Sequence, residues 1–296
     1  MHARGRVLVV TTSMAETRLL SFLEAAAPTV VLAENGADPM DQPDGALLVT
    51  IADGAPAAGG SPVTPAPGSS TEHLLDAEPS SAGPGAVVAR LPLGSARGSE
   101  VVTLTVVGAG LEPDAQAVLA EIARADSDDA PTRPLDETSG AVLWCLARAR
   151  RAERVLEVGT GAGAATVWLG SAVAGRGGTV TSLERDSAMR TLARRNLRRA
   201  GLTDAVDLRL GVAERLLPRL SGPFDLVLLD HDPSDRPDDL LAVLPACAPD
   251  ALVVSPGARR DSAGLALYNA TVASHPAVKR TIYLATPAGL TLSLLR

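Results

Sequence analysis

The sequence is short of several residue types, and each shortage excludes a class of protein. Aromatic residues make up only 2% of the 296 residues, too few for the stacking platforms that bind single-stranded nucleic acid. The net charge of −7 argues against a general nucleic-acid binder held by phosphate contacts. No apolar run reaches the ~18 residues of a membrane-spanning helix. We therefore predict no nucleic-acid or membrane partner and expect the protein in the cytoplasm.

Cysteine and lysine are nearly absent as well. The two cysteines, Cys145 and Cys247, do not form a CxxC pair, so neither a zinc knuckle nor a redox pair is indicated. Of the 27 basic residues, only Lys279 is a lysine. Any mechanism that requires a catalytic lysine therefore depends on this residue alone.

Charge is distributed unevenly along the chain. Residues 1–130 carry 6 basic and 17 acidic residues, a net charge of −11, whereas residues 131–296 carry 21 basic and 17 acidic residues, a net charge of +4. Residues 53–85 are rich in Gly, Pro, Ala and Ser, which predicts a flexible segment. We expect a small N-terminal α/β region over residues 1–110 and a second domain over residues 111–296.

The apolar pattern of the N-terminal region predicts one helix and several short strands. The helix is expected over Ala15–Ala27, where leucines recur on one face. The predicted strands are Arg6–Thr11, Thr29–Ala33, Ala46–Ile51, Ala86–Leu91 and Val101–Val107. A Gly/Ser-containing turn separates the last two strands, which are expected to form a hairpin.

From residue 112 onward, predicted helices alternate with predicted strands. The helices are Asp114–Arg124, Thr138–Arg151, Ala164–Ala174, Ser187–Ala200, Ala213–Leu220, Asp238–Cys247 and Asp261–His275. The strands are Val155–Val158, Thr179–Leu183, Val206–Leu210, Phe224–Leu229, Ala251–Ser255, Arg280–Ala285 and Leu290–Leu295. Five βα units with apolar strands predict a parallel, doubly wound sheet. The gap between the last two strands is too short for a parallel crossover, so we expect them to pair antiparallel.

A glycine-rich turn between a strand and a helix is the strongest motif. It contains Gly159, Gly161 and Gly163, which let the backbone turn tightly and let a ligand approach it near the N–H donors of a helix N-terminus. The spacing fits both GxGxG and the dinucleotide pattern GxGxxA. Glu157 lies two positions before the first glycine. A carboxylate at that position suits a cationic amino group and repels a pyrophosphate, which favours S-adenosylmethionine over NAD.

A second acidic residue ends the next predicted strand. Glu184 follows Gly159 by 25 residues, and a carboxylate there can accept hydrogen bonds from both ribose hydroxyls of an adenosyl group. Asp186 follows shortly afterwards and is expected to cap the next helix.

Together with further stretches, these motifs resemble the class I S-adenosylmethionine-dependent methyltransferases and, within that class, the catechol O-methyltransferase-like family. The matching stretches are Arg154–Gly163, Val180–Asp186, Asn196–Gly211, Phe224–Asp232, Tyr268–Pro276 and Gly289–Leu295. The resemblance covers residues 112–296, and none is found for residues 1–110. It implies a Rossmann-like sheet of order 3-2-1-4-5-7-6 with strand seven antiparallel. We also predict a small-molecule acceptor and a homodimer.

The resemblance also implies roles for individual residues. The residues that would contact S-adenosylmethionine are Glu157, Gly159, Thr160, Gly161, Gly163, Glu184, Arg185, Ala213, Glu214, Asp230 and His231. In this family, the aspartate that closes strand four is also a divalent-metal ligand. The pair Tyr268–Asn269 matches a family pair on the last helix and is interpreted as either structural or substrate-facing.

Two departures from the family pattern affect the predicted chemistry. In this family, an Asp-Asn pair after strand five supplies further ligands to the metal. Ser255 and Pro256 occupy these two positions in this chain. Serine is a poor Mg²⁺ ligand compared with carboxylate. The lysine base of the animal enzymes corresponds to Pro233. We predict no metal site, with replacement of the lost ligands by Asp232 or Asp235 left open.

The prediction for catalysis therefore falls on Asp230 and His231. Histidine is well suited to deprotonate a hydroxyl near neutral pH. Two roles remain open for His231: it acts as this base, or it packs against the cofactor. Methyl transfer is an in-line displacement, in which positioning supplies much of the rate. We predict a methyltransferase acting on a small-molecule hydroxyl. The alternatives are a non-catalytic S-adenosylmethionine- or partner-binding protein with a degenerate site, and an NAD(P)-dependent oxidoreductase.

Overall fold

The structure is a computed structural model that describes two sheets and the helices that pack on them. It describes residues 22–23, 25–26, 30–33, 47–53, 88–95, 98–106, 110–125, 134–257, 262–284 and 286–296. The predicted strand Arg6–Thr11 and residues 54–85 of the predicted flexible segment lie outside these ranges. No helix in the described ranges is long and apolar enough to cross a membrane.

The N-terminal region contributes a four-stranded sheet. Its strands are β1 (Val30–Ala33), β2 (Leu47–Asp53), β3 (Val88–Ser95) and β4 (Gly98–Val106), in the order β1-β2-β4-β3. Strand β1 runs parallel to β2, and the other pairs are antiparallel. The predicted hairpin of β3 and β4 is thereby confirmed. Of the predicted helix Ala15–Ala27, the described residues Phe22, Leu23, Ala25 and Ala26 are helical.

The second sheet has seven strands and confirms the predicted fold class. Its strands are β5 (Arg154–Val158), β6 (Thr179–Glu184), β7 (Val206–Leu210), β8 (Phe224–Leu229), β9 (Cys247–Pro256), β10 (Val278–Leu284) and β11 (Leu290–Leu295). Their order is β7-β6-β5-β8-β9-β11-β10, which is the predicted 3-2-1-4-5-7-6 order. Strands β5 to β9 pair parallel, whereas β11 runs antiparallel to both of its neighbours.

Apart from the helical residues Phe22, Leu23, Ala25 and Ala26, the described residues form seven α-helices. They are α1 (Pro113–Ala125), α2 (Glu137–Ala149), α3 (Ala164–Val173), α4 (Ser187–Arg199), α5 (Ala213–Leu216), α6 (Arg236–Val243) and α7 (Ala263–Ser274). Helix α4 begins where predicted, because the Asp186 carboxylate accepts hydrogen bonds from the backbone N–H groups of Ala188 and Met189. Helix α2 is capped in the same way by Asp136, which accepts from the N–H of Ser139.

Prolines shift the boundaries of two predicted helices. The helix predicted over Asp238–Cys247 begins earlier, with Pro237 in its first turn, and ends in a 3₁₀ turn at Leu244–Ala246 that contains Pro245. Cys247 therefore belongs to β9 instead of the helix. The helix predicted over Ala213–Leu220 is one α-helical turn followed by a 3₁₀ turn that contains Pro218. Proline lacks the N–H that continues an α-helix, which explains both endings.

The seven-stranded sheet is buried on both faces. Along β5, Val155 belongs to one apolar cluster and Leu156 to another, as the alternation of side chains in a strand requires. The first cluster also contains Phe22, Leu23 and the buried residues of α2. The polar residues of interest lie at the carboxyl ends of the central strands, where parallel α/β sheets place their ligands.

Candidate functional site

The glycine-rich turn follows β5 and packs closely against the end of β8. Gly159 has φ of 92°, and a Cβ added there would lie 2.2 Å from the backbone oxygen of Asp230. Gly161 has φ of 55°, and a Cβ added there would meet nothing within 4 Å. Gly159 is therefore required for packing within the protein, whereas Gly161 faces open space in which a ligand can approach the backbone.

Glu157 lies beneath this turn and is completely buried. One carboxylate oxygen, Oε2, accepts hydrogen bonds from Thr166 Oγ1 at 2.6 Å and from Ser182 Oγ at 2.5 Å. The other, Oε1, has no hydrogen-bond donor among the described residues. Burial raises the pKa of Glu157 to about 8, although the two hydroxyls oppose the shift. A buried carboxylate oxygen without a donor fits a ligand that brings a cationic N–H group.

Glu184 ends β6 and binds the glycine-rich turn from the other side. Its Oε2 accepts from the backbone N–H groups of Thr160, at 3.1 Å, and Gly161, at 2.8 Å. Its Oε1 accepts from the N–H of Asp186 at 2.8 Å. Thr160 is buried, and its Oγ1 lies 2.6 Å from Ser182 Oγ. The predicted residues Glu157, Thr160, Gly161 and Glu184 thus form one connected hydrogen-bonded cluster.

Asp230 and His231 lie beside this cluster, after the end of β8. The N–H of Asp230 donates to the Val158 carbonyl at 2.8 Å and so extends the contact between β8 and β5. A Cβ added at Gly159 would lie 3.0 Å from His231 Cβ, so the histidine borders the turn. The structure therefore brings both predicted catalytic residues next to the predicted cofactor residues.

His231 is paired with an acidic residue that the sequence did not single out. Its Nε2 lies 2.9 Å from Asp239 Oδ2, and the two side chains are only 15% and 9% exposed. The two atoms are close but not aligned for a hydrogen bond, and neither imidazole nitrogen has a hydrogen-bond partner among the described residues. Asp239 on α6 is thus placed to stabilise a protonated His231.

The other predicted cofactor residues lie at the rim of this site. Arg185 follows Glu184 directly, and its side chain is 66% exposed, with Nη1 3.9 Å from Asp235 Oδ2. Helix α5, which begins with a half-buried Ala213 and an exposed Glu214, contacts β6. Their partial exposure is what we expect of residues that border the adenine ring of a bound cofactor.

The β8–β9 corner, defined by Asp230, His231, Arg236, Ser255 and Pro256, contains an unpredicted cation. Arg236 is 3% exposed and donates from Nε to the His231 carbonyl at 2.9 Å and from Nη1 to Ser255 Oγ at 2.9 Å. Its Nη1 also donates to the Pro256 carbonyl, and its Nη2 lies 3.8 Å from Asp230 Oδ1.

The β8–β9 corner does not fit the divalent metal that the family resemblance implies. A guanidinium cation contacts the oxygens of Ser255 and Pro256, which stand where the family has its second pair of ligands. Asp232 accepts hydrogen bonds from the N–H and Oγ of Ser234, and these bonds lower its pKa. Throughout the described ranges, no group of three or more His, Cys, Asp or Glu side chains is arranged to hold a metal ion.

Arg236, Asp239, Thr166 and Ser182 are the site residues that the sequence analysis missed. Thr166 carried a signal, because it is a polar residue inside the otherwise apolar first turns of α3. Arg236 carried none, since it was placed in a loop before a helix expected to start at Asp238. Tyr268, interpreted as structural or substrate-facing, is completely buried in the second apolar cluster.

Comparisons with known proteins agree with this geometry. A family described as a methyltransferase domain matches residues 156–255. A catechol O-methyltransferase from Mycobacterium tuberculosis is 42% identical over 120 residues, which are 40% of this chain and 54% of the relative. A catechol O-methyltransferase from Niastella koreensis is 32% identical over 168 residues, or 51% of this chain and 76% of the relative.

Solved structures agree as well. The O-methyltransferase TomG from Streptomyces achromogenes, which is involved in tomaymycin synthesis and was solved with S-adenosylmethionine, matches with a TM-score of 0.54 and 28% identity. The match covers 60% of this chain and 89% of TomG. Fold and glycine-rich site together define a class I S-adenosylmethionine-dependent methyltransferase. Within that class, the chain belongs to the catechol O-methyltransferase-like family.

Proposed function

We propose that the protein transfers a methyl group from S-adenosylmethionine to a hydroxyl group of a small molecule. The observation that carries this proposal is the buried Oε1 of Glu157, which has no donor among the described residues and lies beneath a glycine-rich turn. A cationic amino group satisfies this oxygen, whereas the phosphates of a dinucleotide would meet a carboxylate.

The residues of the site fit the parts of S-adenosylmethionine. When bound, the cofactor supplies a methyl group carried on a positively charged sulfur. Glu157 would accept from its amino group, and Gly159 to Gly163 would leave room for its methionine end. Glu184 retains one acceptor site for a ribose hydroxyl, on Oε1, because a carboxylate has about four acceptor sites and backbone N–H groups use three of them. Arg185, with Ala213 and Glu214 on α5, would border the adenine.

His231 and Asp230 are the residues proposed for catalysis. His231 would accept the proton of the acceptor hydroxyl, which leaves an oxygen able to attack the methyl carbon. Asp239, 2.9 Å from His231 Nε2, would stabilise the resulting imidazolium. Asp230 follows β8 at the same edge of the sheet, where it would line the space between cofactor and acceptor. We propose that these steps need no divalent ion.

A non-catalytic S-adenosylmethionine-binding protein is the second candidate function. The observation that favours it is the altered β8–β9 corner, where Ser255 and Pro256 replace a ligand pair of the active family members. A homodimer, a cytoplasmic location and a domain boundary near residue 110 remain predictions from the sequence, whichever of the two functions holds.

One assay separates these functions. Turnover of methyl-labelled S-adenosylmethionine is measured against a panel of phenols and catechols, with Mg²⁺ and with EDTA, while S-adenosylhomocysteine binding is measured by calorimetry. We expect a methylated product under both conditions. Tight binding without turnover of any acceptor would support the non-catalytic protein. Binding of NADH without binding of S-adenosylhomocysteine would overturn both proposals and support an oxidoreductase.

A further inference from the structure

The buried guanidinium of Arg236 joins the ends of two neighbouring strands. Its Nε and Nη2 both donate to the carbonyl of His231, which follows β8, at 2.9 and 2.5 Å. Its Nη1 donates to Ser255 Oγ and to the carbonyl of Pro256 at the end of β9. These bonds use four of the five N–H groups of an arginine. The side chain is therefore fixed in position by oxygens from both strands.

The surroundings of this guanidinium are those of a cation site. A carboxylate, two carbonyls and one hydroxyl surround it, and these are the oxygen groups that hard metal cations also select. The carboxylate is that of Asp230, with Oδ1 3.8 Å from Nη2. A buried positive charge is tolerated only when oxygens of this kind compensate it, so the β8–β9 corner is built to hold one positive charge.

We propose that Arg236 is the resident cation of the β8–β9 corner and takes the place that a divalent metal has in metal-dependent family members. The proposal deepens the proposed function, because it explains how Asp230 and His231 are held at the site without an added ion. Arg236 is a positioning residue, since it acts through Asp230 and the His231 backbone. A second positive charge in the same corner would be repelled by the guanidinium.

A guanidinium in place of a metal ion changes which acceptors the site can select. A metal ion has open coordination positions and therefore selects acceptors with two adjacent oxygens that chelate it. The guanidinium offers at most one further N–H group, on Nη2, and that nitrogen lies near Asp230. The wild-type protein should therefore methylate a phenol with one hydroxyl group about as efficiently as the corresponding catechol.

The test is Mn²⁺ binding to the full chain, followed by electron paramagnetic resonance without any acceptor. Three proteins are compared: the wild type, the double variant Ser255→Asp/Pro256→Asn, and the triple variant that adds Arg236→Ala. We expect no site tighter than about 1 mM in the wild type, and one site in the triple variant that is at least about tenfold tighter than any in the double variant. The double variant is the matched control, because it has the new ligands and keeps the guanidinium.

Several results would overturn the proposal. They are a tight Mn²⁺ site in the wild type, equal binding by the double and triple variants, and a folded triple variant that binds no Mn²⁺. If circular dichroism shows that the triple variant does not fold, Arg236→Lys and Arg236→Met decide the question. We expect Arg236→Lys to retain about ten times more turnover than Arg236→Met, with equal S-adenosylhomocysteine affinity. Equal loss of turnover in both variants would then overturn the proposal.

Failure of this inference is distinguishable from failure of the proposed function. The Mn²⁺ measurement needs neither acceptor nor turnover. A protein that binds no Mn²⁺ and methylates no acceptor would contradict the proposed function but would agree with the proposal that Arg236 is the resident cation. A protein that methylates phenols only with bound Mn²⁺ would support the proposed function but would contradict the proposal that Arg236 is the resident cation.

Discussion

Glu157 is the residue whose protonation should report cofactor binding. Its pKa of about 8 is raised mainly by burial, so at pH 7 the carboxyl group of the free protein is mostly protonated. A cationic amino group next to Oε1 would favour the charged carboxylate, and binding should therefore release a proton. We expect most of one proton to be released per S-adenosylhomocysteine bound at pH 7, measured by calorimetry in buffers of different ionisation enthalpy.

The Glu157→Gln variant should abolish this proton release and weaken binding. The exposed residue Glu153 offers a matched control, since Glu153→Gln removes a carboxylate from the same strand region and should leave the release unchanged. An unchanged proton release in Glu157→Gln would show that another group titrates, and the amino group would then have to bind elsewhere.

The same residue predicts how the stability of the free protein depends on pH. The folded state binds the Glu157 proton more tightly than the unfolded state does. Its contribution to stability is thus fully present below its ordinary pKa of 4.5 and is lost as the pH rises through about 8. Thermal melts of the wild type should lose stability across this window relative to Glu157→Gln. Parallel pH dependences of the two proteins would contradict the raised pKa.

Asp239 is the residue that should separate base catalysis from packing at His231. Asp239→Asn removes the negative charge 2.9 Å from Nε2 and keeps the size of the side chain. We expect kcat to fall by about tenfold to a hundredfold, with the KM for S-adenosylmethionine unchanged.

The neighbouring Asp238 provides the control for this variant. It lies on the same helix with an exposed side chain, so Asp238→Asn makes the same chemical change outside the site. If both variants changed kcat equally, or if Asp239→Asn changed only the KM, His231 would be a packing residue instead of a base.

At the scale of the element, the glycine-rich turn combines two different requirements. Gly159→Ala would place a Cβ 2.2 Å from the Asp230 carbonyl oxygen, so β5 and β8 would have to separate. Gly161→Ala meets no protein atom within 4 Å and strains only the backbone, at about 1–2 kcal/mol. We expect Gly159→Ala to lower the melting temperature far more, and Gly161→Ala to weaken S-adenosylhomocysteine binding by about tenfold or more.

Melting curves and calorimetry on the two variants test this difference. Each variant serves as the other's control, because both place alanine at a position of positive φ in the same turn. Unchanged affinity in Gly161→Ala would show that the open space above this residue is not occupied by the cofactor.

The elements also show what the sequence could predict. Strands such as β7 and β8 begin and end at the predicted residues, because apolar runs bounded by turns specify a buried strand. The glycine-rich turn, Glu157 and Glu184 were recognisable because their spacing along one chain fixes their positions at adjacent strand ends. Arg236 and Asp239 were not, because their roles depend on α6 starting two residues earlier than predicted. That start follows from Pro237, and nothing in the local sequence says that an arginine before it is buried.

At the scale of the whole molecule, the N-terminal region shares a core with the methyltransferase fold. Phe22 and Leu23 are fully buried in the cluster that contains the apolar residues of α2, and Arg150 donates to the carbonyl of Ala26. Strands β3 and β4 contact α2 as well. Helix α2 is buried on nearly all sides, so removing residues 1–110 would expose apolar side chains. We therefore expect the predicted second domain, residues 111–296, to be unstable when expressed alone.

Phe22→Ala tests this coupling within the full chain, since it deletes a buried ring far in sequence from the cofactor site. Removing a buried phenylalanine costs about 3–5 kcal/mol. If one cooperative unit includes both regions, this loss should appear in the same thermal transition that S-adenosylhomocysteine shifts to higher temperature. The control is Ala25→Gln, which alters an exposed residue of the same helical segment, keeps a good helix former there and should leave the transition in place. Two separate transitions, of which Phe22→Ala lowers one and S-adenosylhomocysteine raises only the other, would instead make the boundary near residue 110 a true domain boundary, because each region would then unfold on its own.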